Sequence, residues 1–161
     1  MRPAATALPL LAAVALAACG ESTIDAEKGE TFIRGVVVKQ VGARVAAVGC
    51  PNDVKTKKGG TFTCTVRGTD GSKGDVLVTQ RDEDGNVLVN APFLGVREAE
   101  RVMTEQIEKQ VKVDDLTVAC PEIVVVKKNA LFRCKATSGA KTRTVNARLT
   151  DAQGHFRYRL S

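Results

Sequence analysis

Val48-Gly49-Cys50-Pro51-Asn52-Asp53-Val54-Lys55-Thr56-Lys57-Lys58-Gly59-Gly60-Thr61-Phe62-Thr63-Cys64 returns 70 residues later as Val118-Ala119-Cys120-Pro121-Glu122-Ile123-Val124-Val125-Val126-Lys127-Lys128-Asn129-Ala130-Leu131-Phe132-Arg133-Cys134. Matches held in one register over such a length mark an internal duplication, which has to be recognised before any fold is assigned. Working outward, Lys39-Gln40-Val41 falls on Lys109-Gln110-Val111 at the same offset. Downstream the register slips by one, so Val76, Asp82 and Gly85 meet Val145, Asp151 and Gly154, as a one-residue deletion in the intervening turn would produce.

Within each copy a helix precedes the strands. Ile33, Val37 and Val41 recur every four residues over the span from Glu30 to about Val45, and Met103, Ile107 and Val111 take the same places in copy two. Val36 to Val38 would also suit a strand, whereas Glu98, Glu100, Glu105 and Glu108 mark an exposed side that makes the second helix clearer. Phe62 to Val66 and Phe132 to Ala136 alternate with period two, as half-buried strands do. Asp70-Gly71, Gly85-Asn86, Ser138-Gly139 and Gln153-Gly154 supply the hairpin turns. The fold class is α+β: two tandem repeats, each a helix packed on an antiparallel sheet of three or four strands. The repeats are read over residues 30–93 and 96–161, with a connection too short for free motion between them.

The chain has 161 residues, five cysteines, no Trp and one His. Units this small bury a modest share of their surface and need covalent help. If each copy folds as a unit, the local pairs Cys50–Cys64 and Cys120–Cys134 are expected, each closing a loop of about 15 residues and contributing about 3 kcal/mol. That leaves Cys19. Arg2 precedes an apolar run from Ala4 to Ala18, shorter than the roughly 20 residues of a membrane span and suited to an export signal. Leu16-Ala17-Ala18-Cys19 ends it and resembles a lipobox, the cleavage and lipidation site of bacterial lipoproteins. The resemblance implies a signal peptide over 1–18, a diacylglyceryl thioether on Cys19, a tether over 19–29, and a cell-membrane location on the extracytoplasmic face. Two or more acyl chains make a stable anchor. The competing reading is an ordinary signal peptide with Cys19 left as a thiol.

A helix followed by Val-x-Cys-Pro, Lys-x-Gly and Phe-x-Cys resembles a domain family of unknown function found in actinobacterial lipoproteins and membrane proteins. Val48, Cys50, Pro51, Val54, Lys57, Gly59, Phe62 and Cys64 carry the match, as do Val118, Cys120, Pro121, Val124, Lys127, Phe132 and Cys134. Asn129 departs from the pattern where copy one has Gly59, so the second turn is open to difference. The resemblance implies export and a Cys–Cys staple, with no activity to carry over. In architecture alone the chain is similar to secreted β-lactamase inhibitor proteins, which also pair two disulfide-bearing helix-and-sheet repeats.

No catalytic residues, cofactor or metal site are read from the sequence, and the chain is taken as non-enzymatic. His155 lies at a predicted turn, and a general base needs partners within hydrogen-bond reach. Asp82-Glu83-Asp84-Gly85-Asn86 lacks the spacing and bidentate Glu of a calcium loop. Charge is more informative. The full chain carries +6, and removal of residues 1–18 leaves +5. Residues 30–93 carry nine basic and seven acidic groups, whereas 96–161 carry thirteen and eight. Strand parity places Arg133, Lys135, Arg148, Arg157 and Arg159 on one face if Phe132, Cys134, Val145, Ala147, Phe156 and Tyr158 face the helix. The matching face of copy one holds Thr63, Thr65, Leu77, Thr79 and Leu88. The expected partners are the membrane, through the lipid anchor, and an anionic lipid, wall polymer or acidic envelope protein on the basic face. A protein-binding or inhibitor-like module using Leu77 and Leu88 is the alternative. Nucleic acid is not expected, because few aromatics interleave with the charges.

Overall fold

The structure, a computed structural model, describes residues 22–161; the export signal expected over 1–18 and the lipidation expected at Cys19 lie outside the described residues. Copy one runs α1 (Ala26–Val41), β1 (Val45–Gly49), β2 (Thr61–Gly68), β3 (Lys73–Gln80) and β4 (Val87–Asn90). Copy two runs α2 (Val96–Val111), β5 (Thr117–Ala119), β6 (Leu131–Ser138), β7 (Lys141–Leu149) and β8 (Phe156–Leu160). Each set of strands forms a four-stranded antiparallel sheet in chain order, and Cys50–Cys64 and Cys120–Cys134 are the disulfides. The α+β tandem repeat expected from the sequence is the fold. Among the described residues no helix is long and apolar enough to cross a membrane.

The first helix is displaced from its expected span. Asp25 caps it, accepting a hydrogen bond from the Lys28 N–H at 3.1 Å, and Gly42 ends it with a φ of 69°, leaving Val45 free to open β1. Asx side chains satisfy the unpaired N–H groups of a first turn, and glycine adopts the left-handed exit without strain. The second helix has the expected apolar face in Met103 and Ile107, but its glutamates divide. Glu98 and Glu105 bind Arg101 at the exposed surface, while Glu100 and Glu108 accept the N–H groups of Cys120 and Leu116. Glu30 does the same for Cys50 at 3.0 Å, so in both copies a helical carboxylate holds the backbone of the first disulfide cysteine.

The duplication also reaches further upstream than the sequence identities do. Ile24 donates to the Val54 carbonyl and Thr56 to that of Ser22; Leu94 donates to Val124 and Val126 to Pro92 at the same 70-residue offset. Copy one therefore reaches back at least to Ser22, and residues 22–29, expected as part of a tether, are joined to the body by these bonds and by the start of α1. Ser22-Thr23-Ile24 and Pro92-Phe93-Leu94 share no residue, which is why pattern matching passed over them. Asn129, where the turn was left open, has a φ of 68° against 76° at Gly59, and both turns close the same bond, Gly60 to Lys57 and Ala130 to Lys127. Asparagine tolerates this left-handed conformation better than other side-chain residues.

The two copies share a junction. One core gathers Ile33, Val37, Val66, Val76 and Val78, the other Met103, Ile107, Val145, Ala147 and Leu149. Ile123, of copy two by sequence, and Phe93, which the backbone equivalence with Thr23 assigns to copy two, are buried in the core of copy one. They reach it because Gly74 has no side chain: a Cβ there would lie 2.5 Å from the Phe93 ring and 2.9 Å from Ile123 Cγ2. Beside them the Glu122 carboxylate, almost wholly buried, accepts hydrogen bonds from the backbone N–H of Arg44 at 2.8 Å and its Nε at 2.5 Å. The N–H groups of Glu122 and Ile123 donate to Asp70 Oδ2 and Ser72 Oγ at the β2–β3 turn.

Candidate functional site

The residues singled out by strand parity come together on the outer face of the second sheet. Strand register aligns Leu131 with Arg148 and Arg148 with Arg157, Arg133 with Asn146 and Asn146 with Arg159, and Lys135 with Thr144. All five cationic side chains are exposed, while Phe132, Cys134, Val145 and Ala147 point into the core. Period-two alternation is the whole cause, since successive side chains of a strand project from opposite faces. The outward positions of β6, β7 and β8 hold no carboxylate.

The electrostatics of this face are uncompensated. None of the five side chains makes an ion pair or hydrogen bond with a described residue. Elsewhere in the body, Arg44 is held by Glu122, and Arg101 by Glu98 and Glu105. Arg148 and Arg157 stand directly opposite one another, a like-charge arrangement that weakens a sheet. Leu131, 70% exposed, projects in the same row. The face is thus a planar cationic surface with one protruding apolar side chain, able to meet several anionic groups at once.

The corresponding face of copy one carries Thr63, Thr65, Leu77, Thr79 and Leu88, with Asp75 bonded to the Thr65 hydroxyl at 2.8 Å. Leu77 and Leu88 remain exposed and belong to neither core.

His155 has a partner that the sequence reading did not find. Its Nδ1 lies 2.6 Å from Asp151 Oδ2. Asp151 Oδ1 also accepts the N–H groups of Gln153 and His155, and in copy one Asp82 accepts those of Asp84 and Asn86 together with the Asn86 side-chain amide. The histidine therefore occupies the place of Asn86 in a repeated turn. The shared offset of Asp82 to Asn86 and Asp151 to His155 was the signal available in the sequence. In Asp82, hydrogen bonding from the Asn86 amide leads in holding the carboxyl below its ordinary value. Both carboxylates are thus engaged in turn formation, and among the described residues no group of three or more His, Cys, Asp or Glu side chains is placed to hold a metal.

A second missed feature is Gln80, buried where copy two has Leu149. It accepts the Lys57 N–H at 2.6 Å and donates to the Lys55 carbonyl at 3.1 Å, pinning the segment between Cys50 and Cys64.

No curated protein and no solved structure matches the chain. A family model described as "Domain of unknown function (DUF4333)" matches twice, over residues 9–85 and 87–154. With nearly the whole length accounted for by two consecutive copies, the chain belongs to the DUF4333 family.

Proposed function

We propose that the chain is a non-enzymatic lipoprotein anchored through Cys19 on the extracytoplasmic face of the cell membrane, binding anionic envelope components through the basic face of its second sheet. The observation that carries this reading is the set of five cations, Arg133, Lys135, Arg148, Arg157 and Arg159, unpaired among the described residues, on one exposed surface without a carboxylate among them. Keeping Arg148 opposite Arg157 costs stability, and an anionic partner offsets that cost. A basic side chain at an anionic bilayer contributes about 1 kcal/mol, lost as salt rises. The short lead-in supports the same reading. Ser22 is bonded to Thr56, so lipid on Cys19 would hold the body within about 10 Å of its attachment point.

Flotation of residues 22–161 with vesicles of neutral or partly anionic phospholipid tests the face. Binding should require the anionic lipid, weaken with added salt, and fall when the five cations are replaced by glutamine. Binding indifferent to lipid charge and salt defeats the proposal. For the anchor, labelling with a fatty-acid analogue should modify the full chain and not Cys19→Ser; equal labelling of both would refute lipidation at Cys19.

A second reading rests on Leu77 and Leu88, which stay exposed on the outer face of copy one. As a protein-binding or inhibitor-like module the chain would retain an envelope protein in pull-downs that Leu77→Asp and Leu88→Asp lose, and identical recoveries with both variants would remove this reading.

A further inference from the structure

The duplication supplies an internal control for every surface of the molecule, and at one place the two copies differ in what covers them. In copy one the end of the core nearest the β2–β3 turn is closed by Phe93 and Ile123 arriving from copy two. At the equivalent end of copy two no described residue arrives. Val41, 8% exposed, has Val111 as its counterpart, 43% exposed. The result is an open groove of about 410 Å³ floored by Ile107, Ala136 and Leu160 and walled by Val111, Val113 and Leu116.

Register fixes the equivalence. Gly74, across which the junction side chains enter, pairs with Val66; in copy two the residue paired with Ala136 is Arg143. The turn position of Ser72, which receives the N–H of Ile123, is taken by Lys141. Both cations stand at the mouth of the groove. The groove thus keeps the apolar floor of the junction and exchanges its hydrogen-bond acceptors for two positive charges. A surface of this kind takes apolar side chains with a carboxylate beside them.

We infer that this groove is a docking site for an extended segment of a partner protein, one that inserts an aromatic or aliphatic side chain and a β-branched one and sets a carboxylate against Lys141 and Arg143. Its mode is that of the junction, where Phe93 and Ile123 insert beside Glu122. A second copy of this chain does not fit the role. At its own amino-terminal end the positions of Phe93, Glu122 and Ile123 are held by Thr23, Asn52 and Asp53, which offer no apolar plug. Head-to-tail stacking of whole chains by this contact is therefore unfavourable, and the occupant is a different protein.

The test is an NMR titration of isotopically labelled residues 22–161, which contain both cores and both disulfides, with a blocked Asp-Phe-Glu-Ile-Val-Asp peptide as probe. Saturable shifts are expected at the amides of Ile107, Val111, Ala136 and Leu160. Val111→Asp and Arg143→Glu, both at exposed positions, should each weaken binding at least tenfold while leaving the spectrum of copy one unchanged. Peptide shifts that are absent, that map elsewhere, or that both variants leave untouched would overturn the inference. Dodecanoate in a parallel titration separates the other chemistry: saturable binding of dodecanoate without binding of peptide would make the groove an acyl-chain site and refute the docking of a protein segment.

Discussion

Ile123 is the residue through which the shared junction is most directly measured. By sequence it belongs to copy two, yet it is 4% exposed and lies in the core of copy one. Ile123→Ala removes three carbons, about 2.4 kcal/mol at roughly 0.8 kcal/mol per buried methylene. A cavity term for incomplete collapse raises the expected loss to about 3 kcal/mol, inside the range seen for buried Ile to Ala. For 140 residues, an unfolding entropy near 2.1 cal/mol/K per residue converts this to a fall in Tm of about 10 °C. Calorimetry supplies the first measurement, with Asn52→Ala, an exposed change at the position equivalent to Glu122, as a control expected to shift little. Hydrogen exchange supplies the second: amides of Val66 and Val76, in the other copy, should lose about two orders of magnitude of protection. A Tm change under about 2 °C, or lost protection confined to β6 and β7, would refute the assignment of Ile123 to the core of copy one.

Other consequences are open to measurement. Partial burial raises the Asp70 carboxyl, but hydrogen bonds from Ser72 and from the Glu122 N–H outweigh it and hold the group below its ordinary value of 3.8. A depressed native value means that the unfolded chain binds more protons, so this stabilisation is complete above the ordinary value and drains away as pH falls through the native one. Thermal melts from pH 6 to pH 2 should show a shallower acid loss in Asp70→Asn than in the parent, and parallel curves would contradict the role given to the junction carboxylate. Replacing Cys50 and Cys64 together by serine should cost about 3 kcal/mol in urea unfolding, with a larger effect on exchange in β2 and β3 than in β6 and β7. Arg148→Gln relieves the opposition to Arg157, so its melting temperature should equal or exceed the parent's while flotation with anionic vesicles weakens; a destabilised variant would show that the like-charge row is held by contacts other than those described.

The sequence reading and the structure part company at identifiable residues. The first helix moved by several positions because Asp25 and Gly42 set the boundaries of α1, whereas apolar spacing alone starts only at Glu30 and runs past Gly42 to about Val45. Residues 22–29 looked like a tether because backbone bridges between Ser22-Thr23-Ile24 and Val54-Lys55-Thr56 need no particular side chains. His155 is recognisable as a turn residue, yet its bond to Asp151 depends on the side-chain geometry of the folded hairpin. The basic face was fully legible, since parity along a strand fixes which side chains share a surface. Its lack of counterions among the described residues was not, because a carboxylate distant in sequence can fold over a cation, as Glu122 does over Arg44.

By itself the sequence determined the duplication, the α+β class, the local cysteine pairs and the grouping of the five cations, all of which follow from short-range periodicity and a constant offset. Tertiary structure alone decided that Phe93 and Ile123 complete a core belonging to the other copy, and that the matching end of copy two stands open. Periodicity records which way a side chain points from its own element; it holds no record of which distant element arrives to cover it.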